Sequence, residues 1–395
     1  MGRRVKSILE RWENSLVKII QEPGADQDQP GLVRLLLAFL GGVSVVFGVC
    51  SRLRLCLYNI NVLRRNALVC QVISVGNLTA GGTGKTPVVE KLARELQARG
   101  RKVAVLSRGY RKKEASWLSR TFLGKITPPR VVSDGKRVLL DSEMGGDEPY
   151  MLANNLPGVV VVVDKDRVKA GRHAMKEHQC DTLLLDDGFQ YLKLRRSLEI
   201  ALVDKANPFG NGRLLPRGVL REPARNIRRA DFVFITKSNG GSAALREKIN
   251  ALNPGAEIIE CRHAPRHLTH VYTGERLPLA WLDGKSISVL SGIAVPKGFE
   301  NFCRGCGASL ARVKRFADHH RYTAEEILKA VNHAADNGLD ALVTTEKDAV
   351  RFPRLQSTAV PVYYLRVEIE IMGGADVFER ILQRVCDKKP KETTS

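Results

Sequence analysis

The sequence predicts an α/β protein with a P-loop-containing parallel-sheet domain, a second and smaller α/β domain, and an N-terminal helix suited to a membrane surface. Three observations carry that reading. From Gln71 onward, short apolar runs alternate with amphipathic stretches. One run leads into the turn AGGTGKT, residues 80–86, and that turn leads into a helical pattern. Upstream, residues 35–51 carry no charge, and Arg52, Arg54, Arg64 and Arg65 follow.

Each element follows in order. The 395 residues are 44% hydrophobic, enough for a sizeable core and for two domains. Residues 1–30 read as a polar extension. Residues 31–66 hold the apolar segment, which lies too far from Met1 and lacks the small-residue cleavage site of a secretory signal. Its uncharged run falls short of the about 20 apolar residues a spanning helix wants. A helix lying in one leaflet with its arginines among the headgroups fits the pattern, and a buried core helix is the competing reading. Residues 67–225 read as the phosphate-loop domain. There QVISVG, KVAVLS, VVVVVD, TLLLDD and LEIALVD are strands, continuous apolar runs of the kind that parallel sheets covered on both faces contain. TPVVEKLARELQARG places Val88, Val89, Leu92, Ala93 and Leu96 on one helical face, with Gly100 at its end. Residues 111–157 are less regular. Residues 226–375 read as the second domain, with strands DFVFITK, SISVLSGI and ALVTTEKD and a β-ribbon VPVYYLRVEIEI. Residues 376–395 close the chain with a helix end and a charged tail.

Strand, glycine-rich turn, Lys-Thr and helix form the context in which a phosphate-loop match carries mechanism. Amides of Thr79, Ala80, Gly81, Gly82, Thr83 and Gly84, together with the helix N-terminus, offer positive partial charge to phosphates. Lys85 reaches the outer phosphates and the Thr86 hydroxyl suits Mg²⁺. The strict pattern asks for glycine where Thr79 stands. Asp186 and Asp187, at the end of an apolar run in LLLDDGFQ, are placed to hold Mg²⁺ directly or through water. ITKSN lacks the aspartate of a guanine site, so ATP is the expected nucleotide.

Three clusters could serve the phosphate acceptor. GGDEP sets Asp147 beside Glu148, so that one carboxylate can take a proton while the other positions metal. FADHH offers His319 and His320 beside Asp318, as a histidine base or a surface loop. RLLPRGVLREP offers Arg213, Arg217 and Arg221 to an anionic substrate, or forms a solvated basic loop. The eight cysteines show no framework spacing, which fits a reducing compartment, and the lone CRGC, Cys303 and Cys306, reads as ordinary thiols.

VGNLTAGGTGKTP, SRGY, GDEP, DDGFQ, FGNGRLLPRGVLREP, SGI, FADHH and TTEKDAV, in that order from about Leu32 to about Phe352, resemble the tetraacyldisaccharide 4'-kinases, the lipid A kinases. The family's loop reads GNLTxGGxGKT, so Thr79 is its own form. The resemblance implies transfer of the ATP γ-phosphate to the 4'-hydroxyl of a tetraacylated glucosamine disaccharide 1-phosphate, giving lipid IVA. It implies a cleft between two domains at the cytoplasmic face of the inner membrane, with the enzyme peripheral or monotopic. Carried over by motif, Asp147 is the base, His319 its partner, and Lys85 stabilises the transferring phosphate. Thr86, Glu148, Asp186 and Asp187 hold or position Mg²⁺, and Arg108, Tyr110, Arg213, Arg221 and Glu222 meet the substrate. The family usually reads DDGxQH, and Tyr191 stands here at the histidine.

Lys and Arg number 63 against 42 Asp and Glu, a formal net charge of +21. That excess points to polyanions, and an acidic lipid at an anionic membrane surface accounts for it. An ATPase or ligase acting on another small acceptor is the alternative enzyme. An ATP-gated nucleic-acid-binding module would share the charge, but the chain has no aromatic-interleaved basic stretch and no use there for the apolar segment, so no nucleic-acid partner is expected.

Overall fold

The structure is a computed structural model, and it describes residues 19, 30–109 and 128–387. The strands in chain order are β1 Gln71–Asn77, β2 Val103–Ser107, β3 Arg130–Asp134, β4 Val160–Val163, β5 Thr182–Asp186, β6 Leu198–Asp204 and β7 Phe232–Thr236. There follow β8 Glu257–His270, β9 Arg276–Pro278, β10 Ser286–Ser291, β11 Ser309–Arg315, β12 Ala341–Thr345 and β13 Val362–Gly373. The chain forms two compact units that interleave in sequence. The first takes residues 1–85, 181–262 and 371–395, and the second takes 86–180 and 263–370.

In the first unit, β5, β1, β6, β7 and the start of β8 pair side by side, all parallel. The strands β1, β5 and β7 are buried along their whole length, which is why they read as unbroken apolar runs. Leu78, Phe189, Val233, Ile235 and Ile249 pack one face. The helix Ala375–Cys386 returns to this unit, where Phe378 meets Phe234 edge-on at 6.3 Å between ring centroids.

The helix Gly31–Asn59 also belongs here. Its 29 residues run through Arg52 and Arg54, well beyond the uncharged stretch, and by length and composition it could cross a membrane. Val33, Leu37, Ser44 and Gly48 form one buried stripe, while Leu35, Phe39, Val45, Val46 and Val49 are exposed. The stripe is pinned by polar contacts: Ser44 Oγ donates to Leu214 O at 2.6 Å and accepts from Arg217 N at 3.0 Å.

In the second unit β2 pairs parallel with β4, and β3 runs antiparallel along β4. That antiparallel strand and the short helices Ser142–Gly145 and Asp147–Asn155 occupy the stretch whose sequence showed little periodicity. A second parallel set has the order β11, β10, β12, β13. The predicted β-ribbon is one 12-residue strand, β13, because its pairing with β12 is parallel and it has no hairpin turn. The helix Ala324–Asp336 carries a Thr323–Glu326 capping box and buries Ile327, Ala330, Val331 and Ala334.

Candidate active site

The phosphate loop leaves β1, a central strand of the first unit's sheet flanked by β5 and β6. Its base is held by side chains. Asn77 Nδ2 donates to Thr79 Oγ1 at 3.2 Å, and Lys85 Nζ donates to Asn77 Oδ1 at 3.2 Å. Thr79 thus supplies a hydroxyl acceptor to the strand end, which a glycine could not. The far side of the loop is tied to the end of β7. Thr236 Oγ1 donates to Thr83 O at 2.8 Å, and Lys237 Nζ donates to Gly82 O at 2.9 Å and to Asp204 at 2.5 Å. Lys237 appears in the sequence only as part of ITKSN, where spacing says nothing of this clamp. A side chain at Gly81 or Gly82 would meet nothing within 4 Å, so open space faces the loop, and the buried Thr83 Oγ1 has no hydrogen-bond partner among the described residues. Gly81, Gly82, Thr83, Lys85 and Thr86 therefore fit a polyphosphate.

The register Val75↔Asp186 brings the aspartates to the same end of the sheet as the loop. Gly188 is required there. A Cβ on it would lie 2.6 Å from Ser74 Oγ, and its amide donates to Val75 O at 3.0 Å. Asp186 is buried. Asp187, in a left-handed backbone conformation, pairs with Lys85 Nζ at 3.5 Å and with Arg221 Nη1 at 2.8 Å. Arg221, expected to meet substrate, stands against Asp187. Glu222, also expected at the substrate, is buried and holds Arg229 at 3.0 Å and Asn226 at 2.7 Å, a structural task. Arg108 and Arg213 are exposed, and Tyr110 lies outside the described residues.

The second unit brings Asp147 and His319 together. Asp147 is the first residue of its helix, where the helix dipole favours an anion. His319, 172 positions away, places Nδ1 at 3.3 Å from Asp147 Oδ2, and its Nε2 lies 3.8 Å from Asp318. His319 sits at φ 62°, outside the usual region for a non-glycine residue, and its amide donates to Gly292 O at 3.2 Å. His320 takes a different role: it bonds Glu326 at 3.0 Å and stacks on Phe316. Arg321 Nη2 lies 3.2 Å from Asp147 Oδ1 without forming a well-aligned hydrogen bond, so Oδ1 accepts none among the described residues. Burial pushes the Asp147 carboxyl up, but the His319 hydrogen bond and the guanidiniums of Arg321 and Arg351 outweigh it, and the net shift is below the ordinary value.

A buried hub supports this pair. Asp348 is fully buried and accepts from Gly292 N at 3.0 Å, Tyr322 OH at 2.8 Å, Arg351 Nη2 at 2.9 Å and Thr345 Oγ1 at 2.5 Å. Arg351, with a fully buried side chain, also donates to Gly292 O and His320 O, and its Nε lies 3.7 Å from Asp147 Oδ2. A Cβ on Gly292 would fall 2.6 Å from Tyr322 OH, so only glycine admits the convergence. Asp348 and Arg351 went unassigned in the sequence, although they stand in and beside TTEKDAV. Glu148 pairs with Lys347 at 3.2 Å.

Among the described residues no three metal-ligating side chains cluster. Mg²⁺ in nucleotide sites takes one or two carboxylates, with phosphates and waters completing its shell, so Asp186 and the Thr86 hydroxyl suit it in type.

Comparison with known proteins agrees with this chemistry. The sequence profile of the family described as "Tetraacyldisaccharide-1-P 4'-kinase" matches residues 36–387. Among curated relatives named tetraacyldisaccharide 4'-kinase, that of Anaeromyxobacter dehalogenans is 40% identical over 85% of this chain and 87% of its own. That of Syntrophus aciditrophicus is 36% identical over 94% of this chain and 98% of its own. Among solved structures, the "apo" form of LpxK from Aquifex aeolicus in complex with ATP superposes with a TM-score of 0.69. It is 28% identical, over 89% of this chain and 99% of that one.

Proposed function

The chain belongs to the tetraacyldisaccharide-1-P 4'-kinase family, and on that premise we propose how its residues divide the reaction. It is an ATP-dependent lipid kinase that phosphorylates the 4'-hydroxyl of a tetraacylated disaccharide 1-phosphate, the step that yields the 4'-phosphorylated lipid A precursor, and it uses ATP and Mg²⁺. We place it at the cytoplasmic face of the inner membrane, with the helix Gly31–Asn59 as its anchor. The segment 67–225 then carries the nucleotide loop together with Asp147, and 226–375 supplies His319.

Lys85 and the loop amides draw charge from the transferring phosphoryl group. Asp186 and Thr86 hold the divalent cation, which neutralises phosphate charge when bound, and Asp187 orients Lys85 and Arg221. Glu148 lies next to Asp147 and positions metal or its water. Asp147 receives the 4'-hydroxyl proton, while His319 fixes its Oδ2 and Arg321 lies against its Oδ1. Arg108, Tyr110 and Arg213 meet the acidic lipid.

The observation that carries the assignment is the Asp147–His319 contact across 172 positions of sequence. Its test is a double-mutant cycle in single-turnover kinetics. Asp147→Ala and His319→Ala should each lower the chemical rate by about 10²–10³ with little change in ATP affinity, and the double variant should be little slower than the worse single. Fully multiplicative losses would show two independent residues and remove the pair from the mechanism.

A further inference from the structure

The first unit has a cavity of about 660 Å³ at the foot of the apolar helix, walled by Leu55, Tyr58 and Asn59 on one side and by Leu192 and Leu194 on another. Its floor is the start of β6. Glu199 lines it and sits beside Ser74 of β1, three residues before the strand ends at Asn77. The phosphate loop leaves β1 at Asn77, and the cavity lining includes no residue of that loop and neither Asp186 nor Asp187, so the cavity is a separate site.

Five arginines line the cavity: Arg65, Arg195, Arg196, Arg228 and Arg229. Two have a carboxylate partner. Arg196 pairs with Glu199 at 2.8 Å, and Arg229 pairs with Glu222 at 3.0 Å while its guanidinium lies 4.3 Å over the Phe189 ring. Asp231, the other acidic residue of the lining, lies 3.6 Å from Arg384 and accepts from the Glu199 amide. The other three, Arg65, Arg195 and Arg228, have no carboxylate within ion-pair distance among the described residues; Arg65 meets only the Asn59 side chain, at 2.8 Å, and the face of Tyr58. Positive charge is crowded here, and the Arg65 and Arg229 charges act against that of Arg196. A concave site with unneutralised guanidiniums suits a phosphate, because the planar fork matches its oxygens.

Position selects the source of that phosphate. Leu53 is the last strongly exposed large apolar residue before the cavity wall at Tyr58. The exposed apolar face of the helix thus ends within about two turns of the cavity wall, and Arg52 and Arg54 flank Leu53 directly. An anchored helix sets the cavity among headgroups.

We propose that this cavity is a binding site for the phosphate of an anionic glycerophospholipid headgroup, recognised by Arg65, Arg195 and Arg228 with Tyr58 and Asn59 at its wall. The proposal rests on the membrane reading of the helix and narrows it from diffuse attraction to a defined pocket.

The test compares full-length protein with Arg195→Gln/Arg228→Gln, Arg65→Gln, and a charge-matched control, Lys248→Gln/Arg276→Gln, whose exposed side chains do not line the cavity. Sedimentation is measured with phosphatidylcholine vesicles and with vesicles containing phosphatidylglycerol. The pocket variants should bind neutral vesicles as the parent does. They should lose the phosphatidylglycerol-dependent gain by about 30-fold for the pair, at about 1 kcal/mol per arginine, while the control loses less than about 3-fold. Equal loss in control and pocket variants, or full retention in the pocket variants, would overturn the site. Failure of the parent to bind either vesicle would instead overturn the membrane reading. Two further arms separate phosphate sources. Inorganic phosphate at millimolar concentration should not displace the protein from vesicles, and the KM for the lipid substrate in neutral micelles should be unchanged in the pocket variants. Displacement by phosphate, or a raised KM, would show that the arginines serve free phosphate or the substrate's own phosphate and would sink the headgroup assignment.

Discussion

Replacing Asp348 with asparagine removes one charge from the most enclosed polar cluster of the second unit while nearly preserving shape. Oδ1 accepts from Gly292 N, Tyr322 OH and Arg351 Nη2, and an amide oxygen can keep those three contacts. Thr345 Oγ1 donates to Oδ2 at 2.5 Å and can turn to accept from the new amide. What the substitution cannot restore is the anion beside Arg351, whose guanidinium is fully buried and whose nearest remaining carboxylate is Asp147 at 3.7 Å. Removing one partner of a buried pair costs about 3–5 kcal/mol, and retained hydrogen bonds place Asp348→Asn at about 3. At about 2.1 cal/mol/K of unfolding entropy per residue, roughly 1.2 °C per kcal/mol for a chain of 395 residues, Tm should fall by about 4 °C. Differential scanning calorimetry and urea unfolding measure the loss. Arg351→Met added to Asp348→Asn should recover part of it, since no unpaired cation then remains. Turnover should fall in the single variant, because Gly292 and Arg351 fix the segment that carries His319, while ATP affinity stays close to the parent's. A Tm change below about 2 °C, or no recovery in the double variant, would show that Asp348 and Arg351 do not form a charge-coupled hub.

Lys85→Ala should lower kcat by about 10²–10³ in an ATP-dependent lipid phosphorylation assay, and near-normal kcat would remove Lys85 from phosphate stabilisation. Burial pushes Glu199 up to about 7, against the charges of Arg196 and Arg229. A carboxyl with a raised folded value favours folding while protonated, so this contribution is complete below about 4.5 and is lost as pH rises toward about 7. Glu199→Gln should flatten that fall in stability, which amounts to about 3 kcal/mol at most, and an unchanged stability profile between those values would show that Glu199 titrates normally. Asp147 is shifted the other way, so its ionised form persists as pH falls and is lost only below the ordinary carboxylate range. An acid limb of kcat near neutrality should therefore survive Asp147→Glu, and its disappearance would assign that limb to Asp147.

The sequence specified the central strands well because each is buried along its length and reads as an apolar run, as QVISVG and TLLLDD do. β11 escaped because its residues alternate between exposed and half-buried, with Arg312 and Lys314 in the pattern. β13 looked like a ribbon because its partner was unspecified, and pairing is a long-range fact that local propensity does not carry. The loop residues from Thr79 to Thr86 announced themselves through their spacing. The clamp by Lys237 and the hub at Asp348 did not, since a lysine after a strand and an aspartate in a short helix are ordinary until the fold buries them. Arg221, offered to substrate by its charge, and Glu222, carried over by motif, also have partners within the protein, Asp187 and Arg229, which the sequence did not show.

The depressed value of Asp147 raises a question about its role. A carboxylate whose pKa is lowered is a weaker base toward a sugar hydroxyl, and proton removal ahead of transfer is poorly served by it. Phosphoryl transfer proceeds through a loose transition state in which the acceptor hydroxyl needs orientation more than early deprotonation. The surroundings of Asp147 are built for orientation. His319 fixes Oδ2, Arg351 stands behind it, Arg321 lies against Oδ1, and the helix N-terminus sets the residue's direction. On this account the proton moves to Asp147 late, as the phosphorus–oxygen bond forms and the hydroxyl becomes acidic. The cations that lower its affinity for a proton also keep it an acceptor at every working pH. The buried hub of Asp348 and Arg351 is then the means by which the second unit keeps one carboxylate ionised and fixed.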